Sequence, residues 1–372
     1  MKTRFDWVRL LPPLIAPLGA ILIALVVSSI VLAVGGKEVF PTFELMLDYG
    51  SQPGSIAAML DKATPYYLSA VAAAIGFRMG LFNIGVDGQY RIAALLAAAL
   101  GGASFMDAVP GVVRIVLIVL VAMLVGAAWA GLAALLKVTR GVSEVISTIM
   151  LNTIAGGFVA FLLTTDKLGV QAAGSNAVTT PILPKDVWIS DLPIVSGTKD
   201  GVFGFIVVAA LVGVAYWFLL GRTRFGFDLR AAGANPSAAV ASGVDAKRMV
   251  IAAMLLSGAV AGLVGLPQLF GEQHAFTESV GGLGFTGIAI ALLGRNHPIG
   301  MAFGALLWGF LERSAQILDL EGIPKETVTI MQGTAVLAVV VAYELTSHVT
   351  KRLQQKRVGE SVATPAPTGV SA

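Results

Sequence analysis

The 372-residue sequence contains no cysteine. Disulfides, thiolate metal sites and thiol nucleophiles are therefore excluded, and the redox compartment leaves no trace. Charge is scarce as well: 13% of residues are charged and 56% hydrophobic, with a net charge of +3 and a mean hydropathy of +0.84. A soluble domain carries roughly a quarter charged residues, so this composition indicates an integral membrane protein. No G-x-x-x-x-G-K-[ST] phosphate loop occurs, and neither H-E-x-x-H nor G-x-S-x-G is present. The three histidines, His274, His297 and His348, are too scattered to make a ligand set. The chain reads as a non-enzyme without cofactor or metal, and transport is the default for a many-span chain with polar residues in its spans.

What is present is a series of apolar runs near 10–34, 64–81, 90–106, 111–136, 143–163, 202–220, 248–270, 283–294, 298–313 and 327–347. These make an all-α polytopic protein of about ten spans, some broken or re-entrant. Lys2, Arg4 and Arg9 precede the first run, which is too long for a signal-peptide core and reads as an uncleaved span. Alternating the sides puts most of the 25 basic residues on one face, among them Arg78, Arg91, Lys137, Arg140, Arg222, Arg224, Arg230, Lys247, Arg248, Arg295, Lys351 and Arg352. By the positive-inside rule both termini are cytoplasmic. Residues 35–60 carry an amphipathic stretch suited to the outer interface. Residues 164–200 form a polar outer loop, 221–248 the largest cytoplasmic loop, and 351–372 a tail of disordered composition beyond a membrane domain of 1–350.

Two segments interrupt this regular pattern. Residues 64–104 number 41, barely enough for two crossings, yet they enclose FNIGVDGQ with Asn83, Asp87 and Gln89. Either this is a tight hairpin at the inner face or the helices break before crossing. The run 283–294 is too short for a full crossing and reads as re-entrant or broken. Short, glycine-interrupted segments of this kind point to a transporter's pathway. Asp87 either caps the following helix, accepting from the amides of Gln89 or Tyr90, or lines the pathway with Asn83 and Gln89. Thr148 and Asn152 lie near one helix face beyond Glu144, while Gln268 and Phe285 are further pathway candidates, Phe285 by stacking.

In the cytoplasmic loop, Asn235 followed by Pro236 is an N-cap followed by proline at the first helical position, and Gly243 is a helix stop. A short helix over 236–242 follows. The loop's pattern, through Thr223, Gly226, Arg230, Ala231, Gly233, Asn235, Ala238, Ala239, Gly243 and Val244, resembles the coupling loop of ABC importer permeases. FNIGVDGQ, SEVISTIMLN (143–152) and GFTGIAIALLGRNHPIG (284–300) resemble the nucleoside branch of the branched-chain amino acid/simple sugar permease family, over about 54–349. Asp87 stands where many relatives have Glu, and Ala234 where an acid is common.

The resemblance implies an ABC importer permease fold carrying nucleosides or related simple sugars. It implies four partners: a cytoplasmic ABC ATPase, a second homologous permease, an extracytoplasmic substrate-binding lipoprotein and a small-molecule substrate. The long outer loop is that of the longer paired permease. Coupling to the ATPase would fall to Arg222, Arg230, Gly233, Asn235, Pro236, Ala238, Ala239 and Gly243. The competing classes are an ion-coupled secondary carrier working through Asp87 and a non-transporting scaffold. Because the chain lacks cysteine, introduced thiols report topology directly. A membrane-impermeant maleimide is expected to label Thr198→Cys in intact cells, and Ser237→Cys only after permeabilisation; the reverse pattern rejects the orientation.

Overall fold

The computed structural model describes residues 7–171, 176–278 and 281–363. It is helical throughout, with one two-stranded antiparallel sheet, Val170–Gln171 paired to Val178–Thr179. The described residues form two compact units, one within Met1–Met46 and Ala315–Ala372, the other Leu47–Ser314. In the first, α1 (Trp7–Val34) packs along α14 (Lys325–Ala363). Helix α14 continues to Ala363 through a stretch whose composition favours disorder; residues 364–372 of that tail lie outside the described residues. An amphipathic helix, α2 (Val39–Gly50), occupies the expected interfacial stretch.

The second unit holds α3 (Pro53–Arg78), α4 (Val86–Gly101), α5 (Gly111–Arg140), α6 (Glu144–Leu162) and α7 (Ile206–Arg222). They are followed by α8 (Arg224–Ala234), α9 (Pro236–Ala241), α10 (Ala246–Gly262), α11 (Leu266–Gly271), α12 (Leu283–Leu293) and α13, Pro298–Leu320, as far as Ser314. Among the described residues, four helices are long and apolar enough to cross a membrane singly, or up to six if each bent pair counts as one span. The difference from ten apolar runs has physical causes. Helices α4 and α12 have only 16 and 11 residues, and α3 and α13 carry charges such as Asp61, Lys62, Glu312 and Arg313 along their length. These polar helices are packed inside the unit: most of α3 from Ala63 to Gly76 is buried.

Small residues set the closest helix contact. On α5, Ala122, Gly126 and Ala130 face Gly258 and Gly262 of α10. A Cβ on Gly126 would lie 3.0 Å from the Gly262 Cα and closer still to the Gly258 carbonyl. Close backbone approach through small residues is how helices associate where lipid offers no hydrophobic drive. Helix α5 ends at Gly141, whose φ of 68° supplies the left-handed stop.

The connections are more ordered than a reading by hydropathy implies. The polar segment 164–200 runs beside the chain that follows α11: Thr180 N–H donates to the Phe276 carbonyl at 3.0 Å and Leu183 N–H to the His274 carbonyl at 2.7 Å. Trp188 stacks on His274 with ring centroids 3.6 Å apart. Residues 221–248 fold into two short helices rather than one, with a 71° bend between α7 and α8. Replacing Gly126 by Leu is expected to destabilise the folded protein by about 1–3 kcal/mol, read as a lower melting temperature in detergent. Gly157→Leu, where nothing lies within 4 Å, is the matched control and is expected to leave it unchanged.

Candidate functional site: two helix starts meeting inside the bundle

Two helices begin inside the second unit rather than at its ends. Helix α3 ends at Arg78, and Gly80, with φ 72°, turns the chain back. Residues 81–85 then climb beside α3 until α4 starts at Val86. Hydrogen bonds fix the level reached. Ser257 Oγ receives from Asn83 Nδ2 (2.8 Å) and donates to the Ala72 carbonyl (2.6 Å). Ser69 Oγ donates to the Leu283 carbonyl at the start of α12 (2.7 Å). Ser69 stands nine residues before Arg78, so α12 begins about 13–14 Å from that end of α3. Its 11 residues span about 16 Å back to the Arg78 end. There Arg78 Nη2 and Tyr216 OH donate to the Asn296 carbonyl at 2.9 and 2.7 Å. Half of a hydrocarbon core of ~30 Å is about 15 Å. The two helix starts therefore meet about 13–14 Å along α3 from its Arg78 end, a separation close to half of such a core, with α4 leading one way and α12 the other.

Asp87 joins them. Its Oδ1 accepts from Gly282 N–H (2.7 Å) and more weakly from Gly284 N–H (3.3 Å), and the residue is 7% exposed. The carboxylate lies in the first turn of its own helix and against the start of another, so both helix dipoles favour its charge. This corrects the expectation that Asp87 caps α4. The N-cap position is Gly85, with no side-chain cap bond, and a side chain in the first turn points along the helix flank, where α12 begins. The glycines around it have a reason: a Cβ on Gly281 would meet Asp87 Oδ2 at 2.5 Å, and one on Gly284 would strike the Asp87 backbone.

Asparagines satisfy the start of α4 instead. Asn152 on α6 accepts from Gly88 N–H and donates to the Ile84 carbonyl, both at 2.9 Å. Asn83 Oδ1 accepts from Gly85 N–H (3.0 Å) and Gln89 Nε2 (2.9 Å), while Asn83 Nδ2 donates to Gln89 Oε1 (3.0 Å). The reciprocal amide pair is sealed, with Asn83 at 0% and Gln89 at 1% exposure. Thr148 is equally buried, and its Oγ1 donates to the Glu144 carbonyl at 2.7 Å. Asn83, Gln89, Thr148 and Asn152 are thus brought together around one helix start, facing protein. Gln268 on α11 is half-buried beside a small cavity, and Phe285 on α12 is exposed.

Several polar partners carried no sequence signal. Arg91 pairs with Glu278, and Tyr66 donates to Glu312, which also lies 3.7 Å from Lys62. Each pair joins residues far apart in sequence, so neither periodicity nor spacing reveals it. A larger cavity of 510 Å³, among α3, α7 and α13, is lined almost wholly by apolar residues such as Leu60, Ala209 and Ala302, and offers little to a polar solute.

The 221–248 motif packs against the turn that precedes this site. Asn235 Oδ1 accepts from Ala238 N–H (3.0 Å) at the start of α9, which opens with Pro236 and is followed by Gly243 at φ 84°. Thr223 caps α8 in the same way at 3.2 Å. Gly233 packs on Met79, where a Cβ would lie 2.6 Å from the backbone carbonyl carbon. Residues Asn235, Pro236, Ala238 and Gly243 are exposed, as is Arg222; Ala239 is buried and Arg230 half-buried.

Replacing Asn83 by Ala strips partners from Gln89, Ser257 and Gly85 together. It is expected to cost about 2–4 kcal/mol, measured as lost thermal stability of the detergent-solubilised protein. Asp87→Asn keeps an acceptor for Gly282 and is expected to fold and transport, whereas Asp87→Leu loses both.

Similarity to known proteins agrees with this architecture. The family model described as branched-chain amino acid transport system / permease component matches residues 55–340. The nucleoside ABC transporter permease protein NupB of Lactococcus lactis is 33% identical, with 92% of each chain covered. The guanosine ABC transporter permease protein NupP of Bacillus subtilis is 32% identical over 91% of this chain and 96% of its own. The glucose ABC transporter permease protein TsgB13 of Haloferax volcanii is 30% identical over 90% and 88%. No solved structure matches. With most of its length matched by the family model and by these permeases, the chain belongs to the branched-chain amino acid transport system permease family and is a multi-pass permease subunit of an ABC transporter.

Proposed function

We propose that this permease carries nucleosides inward, driven by a separate cytoplasmic ABC ATPase, beside a second homologous permease and fed by an extracytoplasmic substrate-binding lipoprotein. Two of the relatives above are named for nucleosides or guanosine, and a third for glucose, which keeps simple sugars as the runner-up cargo. Both termini are placed in the cytoplasm, on the strength of the Lys and Arg distribution. Residues 1–350 are the membrane domain on this reading, with 351–372 a cytoplasmic extension.

The observation that carries the mechanism is the seat of Gly233 on Met79. The exposed, small-residue surface of α9 receives the ATPase's movement, with Arg222, Arg230, Asn235, Pro236, Ala238, Ala239 and Gly243 forming or shaping it. Helix α8 transmits the movement to residues 79–85, and Asn83 hands it to the start of α4. The two helix starts then part or close about Asp87, which alternates access. Gln268 and Phe285 face the pathway, while Asn83, Asp87, Gln89, Thr148 and Asn152 shape it from behind. Nothing in this geometry favours an ion-coupled carrier, since Asp87 has a structural occupation at two helix ends.

In cells carrying the full transporter, uptake of labelled nucleoside is expected to require ATP. Gly233→Val is expected to lower uptake by about tenfold or more while ATP hydrolysis persists, because the coupling free energy between the two events is lost. Unchanged uptake in that variant rejects the route through α8, and gradient-driven exchange by the purified chain alone rejects ATP-driven import.

A further inference from the structure

The large cavity among α3, α7 and α13 is too apolar for a polar solute, yet its shape and its rim are specific. Buried small residues make its floor, Ala209 and Gly213 on α7 and Ala305 on α13, while Ala210, Val214 and Ile299 stand exposed along its mouth. Along α7 the lining runs from Ile206 to Trp217, a rise of about 16 Å. One leaflet of a hydrocarbon core is about 15 Å deep. Spread over that length, the 510 Å³ of the cavity makes a groove about 6 Å wide. A helix, about 10–12 Å across with its side chains, stays outside such a groove. A single hydrocarbon chain, whose carbons touch their neighbours at about 3.5–4.0 Å, fits it.

One end of the groove is cationic. Arg222, exposed at the last turn of α7, folds back so that its guanidinium carbon lies 5.1 Å from the centroid of the Trp217 ring. Trp217 lines the groove, and so does His297, exposed before the start of α13. The Tyr216 hydroxyl, bonded to the Asn296 carbonyl at 2.7 Å, holds the two at one level. Among the described residues, no carboxylate pairs with Arg222. Its five N–H donors therefore remain for an outside acceptor, beside an indole of the kind that sits at headgroup level.

We propose that this groove is a binding site for an anionic phospholipid, with one acyl chain lying along α7 and the headgroup phosphate held by Arg222 and His297. The leaflet is the one at the Arg222 end, which is cytoplasmic on the orientation proposed above. Charge decides the headgroup. A guanidinium binds a phosphate through paired, charge-assisted hydrogen bonds, and an amine on the same headgroup sets a second cation against Arg222 and His297. A headgroup that ends in hydroxyls, such as phosphatidylglycerol, escapes that repulsion. Small floor residues decide the chain: a Cβ on Gly213 would strike the Tyr67 hydroxyl, and a bulkier residue at Ala209 or Ala305 would take the chain's place. The headgroup then sits beside the 71° bend between α7 and α8. The site is independent of which solute the transporter carries.

The test uses the transporter purified through a tag on this chain, washed free of loosely held lipid and given equal amounts of dioleoyl phosphatidylglycerol and dioleoyl phosphatidylcholine. Native mass spectrometry counts what is retained. The wild type is expected to keep a phosphatidylglycerol that Ala210→Phe, which fills the mouth of the groove, loses. Arg222→Gln is expected to keep a lipid but to lower the preference for phosphatidylglycerol about fivefold, the worth of one arginine beside anionic headgroups. Ala210 is exposed, so an unchanged melting temperature shows that its variant is folded; Val214→Trp, also at the mouth, repeats the test if it is not. Retention no higher in the wild type than in the filling variants overturns the proposal, as does equal retention of the two lipids by the wild type. A photoreactive maleimide on Ile299→Cys is expected to attach to lipid. Attachment to a second polypeptide instead shows a partner subunit over the groove and overturns the proposal.

Discussion

The arrangement depends on one carboxylate held by the amides of another helix's first residues. Asp87 is buried in the protein, and a buried charge costs several kcal/mol unless something compensates it. Compensation comes from backbone: the N–H groups of Gly282 and Gly284, and the positive ends of two helices. Remove the Asp87 side-chain oxygens altogether and two helix starts face each other with like partial charges and no shared acceptor. Keep them and the helix starts attract a common centre. The rest of the site follows from this requirement, including the glycines that clear space for Asp87 and the asparagines that serve the donors and acceptors at the start of α4.

Short helices with buried starts would be unstable in lipid if their end groups were left open. Several of these groups have named side-chain partners instead. Asn152 crosses from α6 to complete the first turn of α4, and Ser257 crosses from α10 to bind both Asn83 and the Ala72 carbonyl. The same contacts make the loop 79–85 stiff, with Asn83, Gly85 and Gln89 locked into one unit. Stiffness there suits a part that transmits movement. On the proposed mechanism the Gly233–Met79 contact would pass movement to one end of this piece, and Asp87 lies at the other.

Much of this was legible in the residues, for identifiable reasons. The cap at Asn235, the proline after it and Gly243 are local signals, and α9 forms where they place it. The length count around FNIGVDGQ left a tight hairpin or a helix break as the two choices, and the shortness of 283–294 pointed to a broken or re-entrant helix, because the rise per residue is fixed. What each broken end would touch was not legible. Asp87 reaches Gly282 across 195 positions, and Asn83 reaches Ser257 across 174. Such partners are set by helix packing, through contacts such as Gly126 against Gly258, rather than by sequence spacing. Residues that looked like pathway lining, Asn83 and Gln89 above all, turned out to satisfy each other. Polar residues in a span are read as functional by default, yet here their first task is structural.

The central claim is that α4 and α12 begin at mid-membrane. A nitroxide on Leu283→Cys, with the transporter in lipid nanodiscs, reports this through its relative accessibility to oxygen and to a polar nickel chelate. Phe82→Cys, toward the Arg78 end of α3 and half exposed, serves as the reference. The account predicts that position 283 lies roughly 10 Å deeper in the hydrocarbon than position 82, as the rise along α3 requires. Equal depths for the two, both at the interface, would contradict it.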